Sequence, residues 1–289
     1  MDSDWTTIGF VGAGRAASPL AIGLAQQGYR VVAVASRARA SAERLARRIP
    51  TATAVADAQA VADIAELVFI TTPDDAIAQV AAGVAWRPGQ AVVHCSGTLT
   101  LAPLAAAASQ GMETGSFHPV HTFNAEGSSA VDALRGAAFG IEAEGLLFEA
   151  LAEMARRLGG TPIWVPAEAR GLYHAAAVMV CGYFVGLFND AVNVWERAGL
   201  PDESVSPALM HLVQATLDNM RALGVEASQT GPVSRGDAGT VQAHLDALRG
   251  HAPELLPVYT ALARRAVALA VANGRLPEAA LPQWEELLT

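Results

Sequence analysis

Five stretches concentrate residue types that can do chemistry. "GFVGAGRAA" (Gly9–Ala17) sets Gly12, Gly14 and Ala17 in a Gly-x-Gly-x-x-Ala spacing. "HCSGT" (His94–Thr98) and "SFHPVHTF" (Ser116–Phe123) bring histidines beside small hydroxyls. "LYHAAAVMVCGYFVGL" (Leu172–Leu187) carries His174 at the head of an apolar run. "QTGPVSRGDAGTVQAHL" (Gln229–Leu245) crowds glycines, a proline, Arg235 and Asp237 into otherwise helical surroundings.

The first stretch reads as a phosphate cradle. Gly12 permits a tight turn, Gly14 lets the backbone approach a pyrophosphate, and Ala17 allows close packing of a helix on a sheet. The free N–H groups and positive dipole end of that helix favour an anion. Gly12, Ala13, Gly14, Arg15, Ala16 and Ala17 are therefore expected to bind a dinucleotide. At the end of the next strand, "ASRAR" offers Ser36, Arg37 and Arg39 where an NAD site usually has a carboxylate. A guanidinium and a hydroxyl suit a 2′-phosphate, each charge-assisted bond contributing about 1.5–3 kcal/mol, so the cofactor is read as NADP. "TTPDD" (Thr71–Asp75) and "HCSGT" follow apolar strand candidates. Thr71, Thr72, Pro73, Cys95 and Ser96 are accordingly assigned to the nicotinamide crevice at the strand carboxyl ends, and Asp74 to a helix cap.

Hydride transfer to a carbonyl or imine needs a proton donor or a partner for the developing charge. Lysine is excluded: all 19 basic residues are arginine, which also removes Schiff-base chemistry on the protein. His174, near the start of the first interdomain helix, suits general acid work, with packing at the domain junction as its alternative. Tyr173 lies about 100° away on the same helix, so at most one of the two is expected to face the cleft. Ser96 and His118 are further catalytic candidates, His118 in a loop lining the substrate side. His118 and His121, with His94 elsewhere, do not complete a ligand set of established zinc spacing, and no metal is assigned. Asp237 is read as an N-cap. Arg235 either binds a substrate carboxylate bidentately or pairs with Asp237.

The elements that must position these groups fall into two sets. "TIGFV", "RVVAVAS", "LVFITT", "QAVVHCS", "METGSF", "AAFGIEA" and "TPIWV" are strand candidates, most separated by helical stretches. Alternation of this kind implies parallel pairing. After Pro166 the pattern is helical, beginning with a run of about thirty residues, ~45 Å long, that Gly199 and Pro201 end. The fold class is α/β: an N-terminal Rossmann-like doubly wound sheet over residues 1–166, then an all-α substrate and dimerisation domain over 167–289.

Composition sets bounds. The chain has 289 residues, is 52% hydrophobic and carries a net charge of −9, which argues against nucleic acid or an anionic membrane surface as partner. The start, "MDSDW", is no signal peptide. Ala175–Phe188 is short for a bilayer and is read as a buried helix. Cys95 and Cys181 do not make a disulfide framework, so a cytoplasmic location is expected.

Taken together, "GFVGAGRAA", "HCSGT", "SFHPVHTF", "LYHAAAVMVCGYFVGL" and "TGPVSRGDAGTVQAHLDAL" resemble a bacterial family of Rossmann-like proteins with a helical C-terminal domain of unknown function. That family is similar to ketopantoate reductases, pyrroline-carboxylate reductases and deazaflavin-dependent NADP reductases. The resemblance implies an NADP-linked oxidoreductase fold and a homodimer; with the residues above it gives the expectation of an NADP-dependent reductase of a small carbonyl or imine substrate, such as a 2-keto acid. Cys181-Gly182 stands where the family often has Ser-Asn, which leaves a non-catalytic NADP-binding sensor or scaffold as the alternative.

Overall fold

The computed structural model describes residues 5–123, 132, 134–200 and 202–289. The acidic start, Met1–Asp4, and Pro201 lie outside them. The chain divides into two compact units, Met1–Cys181 and Gly182–Thr289. The composition change at Pro166 thus precedes the break between units by one helix.

In the first unit the strands are β1 (Thr7–Val11), β2 (Arg30–Ala35), β3 (Thr53–Ala54), β4 (Leu67–Ile70), β5 (Ala91–His94), β6 (Glu113–Val120), β7 (Ala138–Glu142) and β8 (Thr161–Trp164). Its helices are α1 (Ala17–Gln26), α2 (Arg39–Ala46), α3 (Ala58–Ala62), α4 (Asp74–Ala82), α5 (Ala105–Ser109), α6 (Gly145–Arg157) and α7 (Arg170–Val180). They form one eight-stranded sheet in the order β3-β2-β1-β4-β5-β6-β7-β8. The order reverses between β1 and β4, so a crevice opens beyond their carboxyl ends. The pairs from β3 to β6 are parallel, as alternation implied. The β6–β7 pair departs from that expectation and is antiparallel.

Both sheet faces are covered, which is why the strands read as continuous apolar runs rather than alternating ones. One face packs Phe10, Phe69, Phe117 and Phe139 under Leu20, Leu24 and Leu151. Their rings meet in sequence at centroid distances of 5.1, 5.9 and 4.8 Å, in the stacked and edge-on geometries that aromatic quadrupoles favour. The other face packs Val11, Val68 and Ile70 against Val61, Ile77 and Leu104.

β6 outruns β5. Its register with β5 ends at Ser116, whereas its register with β7 continues to Val120. Pro119 therefore sits where β6 has only one hydrogen-bonded neighbour, a place that tolerates its missing N–H. His118 consequently lies on a strand, not in the loop its prolines and histidines suggested.

The second unit contains α8 (Gly182–Arg197), α9 (Asp202–Leu223), α10 (Ala238–His251), α11 (Leu256–Ala272) and α12 (Leu281–Leu287). Trp284, fully buried, centres a core with Val233, Val241, Leu245, Val267 and Ala270. The run expected to be one long helix is broken at Cys181, whose backbone (φ −120°, ψ −79°) leaves the helical region. Nor is Ala175–Phe188 buried: Val180 is 78% and Tyr183 70% exposed. By length and composition alone, Ala167–Arg197 and Pro253–Ala272 could each cross a membrane. The second of these buries Ala263, Val267 and Ala270 in the helical core.

The turn after β1 illustrates how tightly the sheet constrains the loops above it. Gly12 donates its N–H to the Ala35 carbonyl at 2.8 Å and has φ +119°. A Cβ there would stand 2.7 Å from the Thr71 carbonyl carbon and oxygen. Around Gly14 no atom lies within 4 Å of a Cβ position. Gly12→Ala should therefore lower stability by about 1–3 kcal/mol, whereas Gly14→Ala should leave it nearly unchanged. Urea unfolding of the two variants checks the contrast.

Candidate active site

The carboxyl ends of β1, β2, β4, β5 and β6 carry most of the residues singled out above. The β1–α1 turn runs through Gly12, Ala13, Gly14, Arg15 and Ala16 into α1 at Ala17. The helical ladder there begins with Ser18 N–H to the Gly14 carbonyl, 3.2 Å, so the amides of the turn precede it, as helix-start amides do. Ala17 is buried, as close helix–sheet packing requires, while Gly14 and Arg15 are exposed. Beyond β2, Ser36 is half-buried and Arg37 exposed. The Arg37 guanidinium has no ion pair among the described residues, whereas Arg39 pairs with Glu43 at 2.9 Å.

The β4 and β5 ends are more committed. The Thr71 hydroxyl donates to the carbonyls of Val11 (3.2 Å) and Gly12 (3.1 Å), fastening the glycine turn to β4. The Thr72 hydroxyl oxygen is buried without a hydrogen-bond partner among the described residues. Pro73 precedes α4 and is exposed. Asp74 does not cap α4; it is the first helical residue, and its carboxylate accepts the Ser96 hydroxyl at 2.7 Å. The Ser96 oxygen also accepts the N–H groups of Thr98 (3.2 Å) and Leu99 (3.1 Å). With its proton donated and both lone pairs used, the Ser96 side chain holds the turn and has no capacity left for a ligand. The Cys95 thiol packs against the sheet core, and burial pushes its pKa up to about 12.

A buried arginine organises the next layer. Arg170, 1% exposed, donates Nε–H to the Glu142 carboxylate at 2.9 Å. It also donates to the Ser96 carbonyl at 3.2 Å and to the Ser116 hydroxyl. One side chain thus joins the ends of β5, β6 and β7. Removing one partner of such a pair costs about 3–5 kcal/mol, because the other charge stays buried.

Arg170 opens α7, so Tyr173 and His174 follow on its face at i+3 and i+4. Both side chains are hydrogen-bonded to residues of other elements. The Tyr173 phenol bonds His118 Nδ1 at 2.8 Å, and the Thr98 hydroxyl bonds His174 Nδ1 at 2.9 Å. The His118 and His174 rings are 6.0 Å apart. His94 lies beneath them: Nδ1 accepts the Ser96 N–H (3.2 Å), which leaves Nε2–H to donate to the Thr100 carbonyl (2.9 Å). Burial lowers the pKa of His94 to about 4. His118 is lowered to about 4 as well, first by burial and then by the neighbouring His174 and Arg170 charges. Both imidazoles are neutral at physiological pH. His121, after β6, stacks edge-on with Phe123 at 5.1 Å, and no group of three metal-ligating side chains occurs among the described residues.

Arg235 belongs to the second unit. It ends a short 3₁₀ turn, is exposed, and its guanidinium makes no ion pair among the described residues. Asp237 caps α10, accepting the Thr240 N–H at 3.0 Å and hydroxyl at 2.7 Å. Gly236, at φ +70°, turns the chain between them.

Residues 2–119 match the family model of a Rossmann-like domain, and residues 137–266 match that of a domain of unknown function, DUF2520. The chain is a Rossmann-like domain followed by a DUF2520 domain. Among solved structures it is similar to a candidate NADP oxidoreductase from Bacteroides fragilis: 26% identity, 92% of this chain and 100% of that chain covered, TM-score 0.72. A reductive aminase from Aspergillus terreus in complex with NADPH and ethyl-5-oxohexanoate shares 18% identity over 91% of this chain and 94% of its own, TM-score 0.64. A 1-pyrroline-5-carboxylate reductase from Streptococcus pyogenes shares 17% over 92% and 98%, TM-score 0.63. No curated protein matches the chain.

Sequence reasoning missed Arg170, Glu142 and Ser116. The available signal was an arginine one helical turn before Tyr173-His174. It became meaningful only once β7 was known to run beside β6.

The two neutral histidines define an acid response. Unfolded, they titrate near 6.5; folded, near 4. Between those values the unfolded chain binds more protons, so stability falls as pH drops, by up to about 1.4 kcal/mol per unit for each histidine. Urea unfolding between about pH 4.5 and 6.5 should show this slope, and His118→Gln should reduce it.

Proposed function

We propose that this protein is an NADP-dependent oxidoreductase that reduces a small carbonyl or imine compound. The observation that carries the reading is the convergence of His118, Tyr173 and His174 at the carboxyl ends of β5 and β6, on the same sheet edge as an anion-accepting glycine turn. The turn's residues fit a dinucleotide. Gly14 leaves open space at the start of α1, and, among the described residues, the exposed Arg37 guanidinium has no ion pair and the buried Thr72 hydroxyl at the end of β4 has no hydrogen-bond partner. When bound, NADPH supplies hydride. The turn amides would hold its pyrophosphate, and Ser36 with Arg37 its 2′-phosphate. NADPH in a similar fold, as in the Aspergillus terreus enzyme, supports this choice.

His174 is the proton donor in this reading. Its Nδ1 is held by Thr98, which orients the ring and leaves Nε2 for substrate. His118 cannot serve as an acid near neutrality, because burial keeps it uncharged. A cytoplasmic location goes with this reading and with the unpaired cysteines.

NADPH oxidation followed at 340 nm against carbonyls, keto acids and cyclic imines tests the activity. His174→Asn should lower turnover while NADPH affinity stays within about twofold. Arg37→Asp should weaken NADPH binding by ten- to a hundredfold, about 1.4–2.8 kcal/mol, and leave NADH little changed. NADPH binding without turnover across the panel would favour a sensor.

We also propose a homodimer. Tyr183, Val185 and Leu187 are exposed apolar side chains on α8, more than a monomer ordinarily leaves in water, and a two-fold axis is the commonest way to cover such a face with itself. Light scattering should give twice the 29.9 kDa chain mass, and Val185→Asp should shift the mass toward one chain.

A further inference from the structure

The glycines nearest the histidine cluster have no backbone reason to be glycine. Gly97 and Gly140 are not among the residues with positive φ, and Gly140 lies inside β7, where glycine weakens a strand and often marks a close approach. Space is the reason at both. A Cβ on Gly140 would run into the Tyr173 hydroxyl and stand 2.7 Å from the phenol Cζ. A Cβ on Gly97 would stand 2.7 Å from His118 Nε2 and 2.6 Å from His174 Cδ2. Two positions on different elements are thus emptied around one side-chain pair, the phenol of Tyr173 and the imidazole of His118.

We infer that Tyr173 is a positioning residue, holding His118 through Nδ1 so that its Nε2–H, in the slot left by Gly97, donates a hydrogen bond to the substrate's carbonyl oxygen or imine nitrogen. The inference rests on the reductase reading above. The inference requires one tautomer: the phenol of Tyr173, a neutral group with a single proton, donates it to His118 Nδ1 across 2.8 Å, and the ring hydrogen is on Nε2. Burial keeps both partners in their neutral forms, raising the Tyr173 pKa and lowering that of His118 to about 4. A neutral donor of this kind strengthens its bond as negative charge develops on the substrate atom, without losing its proton. The proton that completes the reduction comes from His174, whose ring stands 6.0 Å from that of His118. The roles are divided: His174 transfers a proton, and His118 stabilises charge.

Tyr173→Phe tests this, since it keeps the ring against Gly140 and removes only the hydroxyl. Turnover should fall about five- to fiftyfold, while the Michaelis constant and NADPH affinity stay within about twofold. Nitrogen-15 shifts of His118 should move from an Nε2–H tautomer toward a mixture. Tyr173→Phe added to His118→Gln should cost little beyond His118→Gln alone, as coupled residues do. An unchanged His118 tautomer in Tyr173→Phe, or additive losses in the double variant, would overturn the inference and leave Tyr173 a packing residue. The tautomer is read without turnover. A wild-type protein that shows the Tyr173-dependent tautomer but reduces nothing in the panel would count against the reductase reading and the substrate role of His118, and for the positioning role of Tyr173.

Discussion

The carboxyl edge of the sheet depends on the burial of one guanidinium. Arg170 is 1% exposed, and a charge so far from water is tolerable only if it is paired and its hydrogens are used. Glu142 supplies the countercharge, and the Ser96 carbonyl and Ser116 hydroxyl take further hydrogens. Each comes from a different strand or the loop directly after it, so meeting the needs of one side chain fixes the relative positions of β5, β6 and β7. The same side chain opens α7. Anchoring the first residue of that helix places Tyr173 against β6 and His174 against the loop that follows β5.

Electrostatics then separates groups that look alike in sequence. The three histidines at 94, 118 and 174 share a region but not a role. His94 is enclosed, with both ring nitrogens spent on backbone groups. His118 is desolvated, and charging it would oppose both Arg170 and His174. His174 is half-buried, its Nδ1 turned to the exposed Thr98. The three imidazoles are therefore told apart by their surroundings: two are enclosed and uncharged, and the third stands at the exposed rim.

The second unit shows a different balance. Its α10–α12 part has its own core around Trp284, and the Gly231–Asp237 stretch is tied to it through Val233. The polar composition of that stretch serves first to turn the chain: Gly236 adopts a left-handed conformation, and Asp237 caps α10. By contrast, α8 buries none of its residues. Helices in water draw most of their stability from packing an apolar face, and α8 packs only half-buried side chains, against α9.

Local patterns were enough for the fold class, the glycine turn and the Asp237 cap, because each is decided by residues within a few positions of one another. Strand–helix alternation implies parallel pairing whatever the distant contacts, and Gly12 answers to the geometry of its own turn as well as to Thr71. The site was only partly legible. His174 and His118 could be singled out by chemistry, but the strand placement of His118 depends on β6 outrunning β5. The engagement of Ser96, the burial of Cys95, the break at Cys181 and the pairing of Tyr173 with His118 depend equally on neighbours far away in sequence. Arg170 is the clearest case: its partners Ser96, Ser116 and Glu142 are 74, 54 and 28 positions away. An arginine in a helical sequence reads as a solvated surface residue; only tertiary structure could decide that this one is buried, because only strand ends brought together by the sheet can compensate its charge.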